Sequence, residues 1–233
     1  CPPRKHDGHQ VAAVQGFIVT LLRPLVERSR EERVCIVFDA PGPSFRRDIY
    51  PDYKSKRPPH PEEFTSQARI VREAVRAFGF HAIERSSFEA DDIIATLTAR
   101  ARSGGDEVII VTGDKDMMQL IGEGVSIYDQ KKKKMIRRHD VVAALGVEPE
   151  QVVDLQALAG DATDGVPGVR GIGQMWAQRL IARWGSLDAV YANLSGVGND
   201  RARAALLAQR DEAYLFKRIA TLRRDLPLPT TAA

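Results

Sequence analysis

Apolar residues recur at helical spacing through Gln10–Arg28, at Val11, Val14, Phe17, Ile18, Leu21, Leu22 and Leu25, and predict a helix with one buried face. A short, β-rich run follows at Arg33–Phe38 and reads as a buried strand, with Cys35 as a small buried thiol inside it. It stops at Asp39-Ala40-Pro41-Gly42-Pro43, where proline and glycine forbid continuation. Ser44–Pro61 is polar, basic and broken by four prolines, which predicts a mobile loop or a partial helix. Helical patterning resumes at Glu62–Phe78, with Gly79 as its stop, and Phe80–Glu84 is a candidate second strand. Phe88–Arg102 is an amphipathic helix ended by Gly104-Gly105, and Glu107–Thr112 is a third, strongly apolar strand. Lys115–Ile121 predicts a short helix; Val125–Tyr128 and Met135–Arg137 predict strands on either side of the charge run Lys131–Lys134. Asp140–Leu145 and Pro149–Gly160 read as helices, and the remainder is helical up to a proline-rich tail at Asp225–Pro229.

Strands alternating with helices predict an α/β fold with a parallel-rich central sheet flanked by helices, followed by an all-helical C-terminal part. The expected division is 1–147 for the α/β core and 148–233 for the helical region. Composition is ordinary for a globular protein, and no apolar run approaches the roughly 18 residues a membrane span needs. Two cysteines without zinc spacing fit a reducing cytoplasm. The net charge of +3 says little, but its distribution says more. Gly165–Arg224 carries ten Lys/Arg against four Asp/Glu, and Phe45–Pro59 carries Arg46, Arg47, Lys54, Lys56 and Arg57. Basic stretches alternating with acidic groups suggest a phosphate-rich partner; a solvated surface in an Arg-rich sequence is the plainer reading.

Eight carboxylates fall where open parallel sheets place their sites. Asp39 follows the first strand; Asp114 and Asp116 follow the third; Glu89, Asp91 and Asp92 open a helix; Asp161 and Asp164 lie in the loop after Ala159. Each has a structural explanation of its own. Ser86-x-x-Glu89 fits a capping box, Asp91 and Asp92 suit the positive end of a helix, Asp114 and Asp161 suit caps or turns, and Asp39 suits the Pro41-Gly42 turn. Gathered on one rim, however, they would have to protonate unless cations neutralised them. Hard oxygen donors select Mg²⁺ or Mn²⁺, and their number suggests two ions, an arrangement suited to phosphodiester displacement. The five histidines are scattered and none has metal-ligand spacing.

Five blocks now matter together: Val37-Phe38-Asp39-Ala40-Pro41-Gly42, Tyr53-Lys54-Ser55-Lys56-Arg57-Pro58, Glu89-Ala90-Asp91-Asp92, Val111-Thr112-Gly113-Asp114-Lys115-Asp116, and Gly160-Asp161-Ala162-Thr163-Asp164, which is followed by Val166–Gly173. In this order they resemble the 5′-nuclease family: the N-terminal domains of bacterial DNA polymerase I, phage 5′-exonucleases and flap endonucleases. The resemblance covers nearly the whole chain. It implies a PIN-like 5′-nuclease fold and metal-dependent hydrolysis of DNA near a junction between 5′ single strand and duplex. It implies that Asp39, Glu89 and Asp91 serve a first metal position and Asp114, Asp116 and Asp164 a second, with Asp91 lying between them and Asp92 and Asp161 as further acidic members expected in supporting roles. Residues 44–61 correspond to an arch over the active site, where Lys54, Arg57 and Arg46 are candidates for gripping the scissile phosphate. Residues 160–184 resemble a helix-hairpin-helix, with Gly168, Arg170, Gly171, Ile172 and Gly173 as the DNA contact and a K⁺ ion as a further expectation. The partner implied is DNA with a 5′ flap or a free 5′ end, met by a monomer working beside a fused or separate polymerase.

Three departures stand out. The family opens with a strand bearing an aspartate, whereas here only Cys1–His9 precede the first helix; a gene start placed too late is the expected reason. Gln174-Met175-Trp176 replaces a charged stretch, and Gly165 stands where Asn is usual. A junction-binding relative that has lost its chemistry is therefore the competing reading, and an RNA-cleaving relative a third.

Overall fold

The computed structural model describes residues 5–6, 9–22, 26, 33–58 and 61–229. The chain forms two compact units, one made of 1–42, 57–90 and 227–233, the other of 43–56 and 91–226.

In the first unit, β1 (Lys5–His6) pairs antiparallel with β2 (His9–Gln10), which leads into α1 (Ala12–Phe17). The helix expected over Gln10–Arg28 is helical only in part as α: it continues as a π-helical stretch at Ile18–Leu22, and 23–25 and 27–28 lie outside the described residues. Strand β3 (Cys35–Val37) pairs in parallel with β4 (His81–Ile83), with Ile36 opposite Ala82. Between them, α2 (Arg46–Ile49) belongs to the second unit and α3 (Glu62–Ala77) to the first. Helix α3 ends where Gly79 adopts φ +81°, as its position after the apolar stripe predicts. Leu22, Val75 and Phe80 form the core here, with Phe17, Ile36 and Phe38 packed on them. Cys35 corrects the expectation of a buried thiol: it is exposed. It opens a strand only three residues long, and the second strand residue, Ile36, is the one that packs toward the Val75 core.

The second unit is larger. Helix α4 (Ala90–Ser103) leads to β5 (Val108–Val111), which pairs in parallel with β6 (Val125–Asp129); β6 then turns back antiparallel into β7 (Lys134–Ile136). The expected sheet is thus present as separate two- and three-stranded pieces among the described residues. Strand β5 is less enclosed than its composition predicts: Ile110 is buried, while Ile109 and Val111, on the opposite face, are exposed. The helix expected at Lys115–Ile121 is a 3₁₀ segment, Asp116–Leu120. Then come α5 (Arg138–Leu145), a 3₁₀ turn at Pro149–Gln151, α6 (Val152–Ala159), α7 (Gln174–Trp184), α8 (Leu187–Ala192), α9 (Asp200–Ala208) and α10 (Arg210–Ala220). Ser186 and Asn199 cap α8 and α9 by accepting the amides of Ala189 and Ala202. The core runs from Ile110 and Ile127 through Leu155 and Leu158 to Leu180, Leu206 and Phe216. Helix α6 is apolar on nearly every side because α7 and α10 both pack on it.

Candidate active site

Four of the expected carboxylates share one electrostatic neighbourhood in the second unit. Asp114 and Asp116 leave the C-terminal end of β5 through Thr112-Gly113. Thr112 Oγ1 accepts the Asp114 amide at 3.0 Å, and Asp114 Oδ1 accepts the Asp116 amide at 2.9 Å, so the turn carries its own supports. Asp161 and Asp164 come from the loop after α6. That loop is pinned at its base, where Asp161 and Val166 exchange backbone hydrogen bonds of 2.7 and 2.8 Å. Asp161 Oδ1 also accepts the Thr163 amide at 2.8 Å. Asp114 and Asp161 thus each brace a turn, while the cap foreseen for Asp114 is not formed, since Lys115 is the N-cap of the 3₁₀ segment; the turns orient the same carboxylates that share this neighbourhood.

Asp116 records that confrontation. Burial, then the charges of Asp114, Asp161 and Asp164, push its carboxyl up to about 6, and Lys115 only partly offsets them. Gln156 Nε2 donates to Asp116 Oδ1 at 2.5 Å and fixes its plane. Asp161 goes the other way. Burial pushes it up, but Lys115 Nζ at 2.9 Å and the amides of Thr163 and Asp164 outweigh burial and hold it below the usual carboxylate range. Asp164 Oδ2 accepts the Tyr53 hydroxyl at 2.9 Å and lies 3.6 Å from Lys54 Nζ. Its carbonyl accepts the Lys54 amide at 2.8 Å. The basic segment is thereby latched to the acidic loop by Tyr53 and Lys54, and Lys54 itself sits at φ +52°. Gly165 belongs to this latch: it has φ +72°, and a Cβ there would lie 3.0 Å from the Asp52 carbonyl oxygen.

No three His, Cys, Asp or Glu side chains among the described residues converge closely enough to form a ready metal cage; Lys54 and Lys115 stand among the carboxylates instead. The donor chemistry nonetheless fits a hard cation. Oxygen donors predominate, and one of them is pushed toward protonation by burial and by its neighbours, the condition a divalent ion relieves.

Other expected residues are placed elsewhere. In the first unit Asp39 is exposed beyond β3, and its Oδ1 accepts the Ala90 amide at 2.8 Å, joining the two acidic blocks within that unit. Glu89 is half-buried next to it in sequence, and Asp91, also half-buried, opens the second unit's share of α4. Arg57 is exposed in the first unit. Arg46 corrects its expectation, and Asp92 is its partner. Arg46 is 1% and Asp92 0% exposed, and they form a two-pronged pair of 2.6 and 2.8 Å. Arg46 also donates to the carbonyls of Ile219 and Thr221, and Asp92 accepts the Arg223 amide. A guanidinium so enclosed and paired is not open to a substrate phosphate, and both Asp92 oxygens are engaged by donors of the protein itself.

Between α6 and α7 the chain makes a glycine-rich hairpin. Gly168 and Gly171 have φ of +66° and +96°, and Gly173 precedes α7, whose first turn holds no acidic residue. Arg170, Gly171 and Gly173 are exposed and Gly168 is buried. Ile172 is a correction: its side chain is buried and its amide donates to Val169 O at 2.9 Å, so it anchors the hairpin. Gln209 accepts the Arg170 amide and donates to its carbonyl, at 2.9 and 3.1 Å, clamping the turn from α9's end.

Residues 2–146 match the family described as 5′-3′ exonuclease, N-terminal resolvase-like domain, and residues 147–233 match the 5′-3′ exonuclease, C-terminal SAM fold. The chain belongs to the 5′-3′ exonuclease family. This is a family of nucleases, hydrolases of DNA phosphodiesters. DNA polymerase I of Rhizobium leguminosarum is 40% identical over 97% of the chain, and the thermostable DNA polymerase I of Thermus filiformis 41% identical over 95%. The chain spans about a quarter of these relatives, 23% and 26% of their lengths. In fold it is similar to the T5 D15 protein co-crystallised with metal ions, with TM-score 0.76 and 21% identity over 88% of this chain and 83% of that one. It is also similar to the catalytic core of Rad2 in complex with DNA, with TM-score 0.57 and 18% identity over 92% and 74%. Within this exonuclease-family chain, sequence reading missed Tyr53, Lys115, Gln156 and Gln209. Only Tyr53 and Lys115 carried a signal, as members of the quoted blocks; the two glutamines reach their partners from distant parts of the chain.

Proposed function

We propose that this chain hydrolyses DNA phosphodiesters beside the junction of a 5′ single strand and duplex, with two divalent ions, Mg²⁺ or Mn²⁺. The observation that carries the reading is the meeting of Asp114, Asp116, Asp161 and Asp164, with Asp116 pushed up to about 6 by burial and by the other three. Asp114, Asp116 and Asp164 would hold one ion. Asp39, Glu89 and Asp91 belong to the other in this reading, which rests on their family positions. Asp161, tied to Lys115, tunes the charge of the set. Bound ions would supply hydroxide near neutral pH and neutralise the phosphate's developing charge. Lys54, half-buried and 3.6 Å from Asp164, would hold an anionic oxygen beside the carboxylates, and the part given to Arg57 rests on its family position alone. The hairpin of Arg170, Gly171 and Gly173, closed from within by the buried Gly168, would hold duplex phosphate through exposed backbone and the start of α7 without reading sequence. The division near residue 148 between core and helical region belongs to this reading, as does a fused or separate polymerase as partner, which the relatives' names support.

The test is cleavage of a 5′-labelled flap substrate in Mg²⁺ and in EDTA, with Asp114→Ala as control. Cutting in Mg²⁺ alone, lost by Asp114→Ala while DNA binding persists, is the expected result. Asp114→Ala cutting at the normal rate would overturn the metal assignment. Binding without cutting in any metal would leave a junction-binding protein.

A further inference from the structure

The charge run Lys131–Lys134 has no part in the chemistry so far, yet its place in the fold gives it one. Strands β5 and β6 are parallel, with Val111 opposite Tyr128, and the Thr112 amide donates to the Tyr128 carbonyl at 3.2 Å. The two strands therefore leave the sheet at the same end, about 5 Å apart. From that end β5 goes on to Asp114 and Asp116, and β6 goes on to the tip between Asp129 and Lys134, which face each other across the hairpin. The lysines thus rise from the same sheet rim as the carboxylates.

The tip is built rather than loose. Asp129 is buried, and its Oδ1 accepts the Lys132 amide at 3.0 Å. Lys132 Nζ lies 3.2 Å from Asp129, and Lys134 Nζ lies 2.6 Å from Asp140. These pairs neutralise two of the four ammonium groups. Lys131 and Lys133 are exposed, and their ammonium groups meet no carboxylate among the described residues. Lys133 has φ +51°, a conformation in which glycine or asparagine is the unstrained choice. The sequence thus sets a charge at the apex where glycine would relax the turn. Two unneutralised cations on a fixed turn repel each other in the isolated protein, and a polyanion relieves that.

We propose that the Lys131–Lys134 tip is an accessory contact for the DNA backbone, with Lys131 and Lys133 each engaging a phosphate beyond those held by Lys54 and the glycine hairpin. This rests on the nuclease reading above. Its recognition is by charge alone, so it adds affinity and salt dependence without sequence preference.

The test is the affinity of the full chain for a 5′-flap DNA, by fluorescence anisotropy with Ca²⁺ in place of Mg²⁺, across a series of KCl concentrations. The variants are Lys131→Ala/Lys133→Ala, Lys132→Ala/Lys134→Ala and Lys133→Gly. The first is expected to weaken binding several-fold and to lower the slope of log affinity against log salt by about 1 to 2. Single-turnover cleavage at saturating DNA stays at the wild-type rate. The second pair, already neutralised within the protein, loses less. Lys133→Gly weakens binding while melting no lower than the wild type, which separates a contact from a folding defect. Wild-type slope and affinity in Lys131→Ala/Lys133→Ala would overturn the proposal. A wild-type protein that fails to bind the flap at all would overturn the nuclease reading itself, and this contact with it.

Discussion

Arg46 shows how far one residue can stand from the role its sequence suggests. It lies in a basic stretch and reads as a phosphate ligand, yet its guanidinium is enclosed and fully engaged by Asp92 and the carbonyls of Ile219 and Thr221. An arginine at the base of the segment that carries Tyr53 and Lys54 thus ties it to the helix of Asp91 and Asp92 and to the chain after α10. Removing either partner strands the other charge in the interior, which costs about 3–5 kcal/mol. Arg46→Ala and Asp92→Ala are each expected to lower urea-denaturation stability by that much. The double variant should lose clearly less than the sum of the two, since neither charge is then left alone. Additive losses in the cycle would show that the pair is not coupled. Stability within 0.5 kcal/mol of wild type in either single variant, the ordinary range for a surface substitution, would show that it is not buried in solution.

At the scale of elements, the acidic loop depends on two glycines crossing. A Cβ on Gly160 would lie 2.5 Å from the Val166 carbonyl oxygen, and one on Gly168 would strike the Gly160 amide nitrogen. Both residues also have positive φ. Gly160→Ala must therefore open the Asp161–Val166 closure that aims Asp161 and Asp164. Gly171→Ala meets only Ala205 Cβ at 3.6 Å and carries backbone strain alone. The expectation is a loss above about 2 kcal/mol for Gly160→Ala, against about 1 kcal/mol for Gly171→Ala. Mg²⁺-dependent cleavage should fall more in the first, at a temperature where both are folded. Equal effects would mean that the crossing does not position the carboxylates. Such devices mark the limit of what sequence discloses. The placement of Asp114 and Asp116 was legible because an apolar run ending in Thr-Gly-Asp announces a strand end. So was the stop at Gly79, because a glycine followed a helical stripe. The Arg46–Asp92 pair was not, because it joins residues far apart in sequence and a charge pattern carries no sign of burial. The exposure of Ile109 and Val111 was hidden for the converse reason: an apolar strand reads as buried on both faces whatever finally covers it. Gln156 and Gln209 gave no signal, since a glutamine that fixes a carboxylate or a turn looks like any other glutamine.

For the molecule as a whole, the carboxylate cluster sets stability against function. With burial, and then Asp114, Asp161 and Asp164, raising Asp116, the fold carries an unfavourable charge there that Lys115 only partly offsets. A divalent ion that binds only the folded state relieves it and stabilises the fold by mass action. Thermal unfolding should therefore shift upward with Mg²⁺ or Mn²⁺ relative to EDTA, and not with NaCl at matched ionic strength. Asp116→Asn keeps the oxygen that accepts from Gln156 and removes one charge from the crowd. It is expected to melt higher than wild type in EDTA, to show a much smaller Mg²⁺ increment, and to lose cleavage. The signs follow from one cause. A residue kept for binding metal is unfavourable to the bare fold, so deleting its charge helps folding while harming chemistry. If Asp116→Asn melts lower in EDTA and keeps the full Mg²⁺ increment, the carboxylate contributes to packing and not to an ion site. The role assigned to Asp114 and Asp164 beside it would then fall as well.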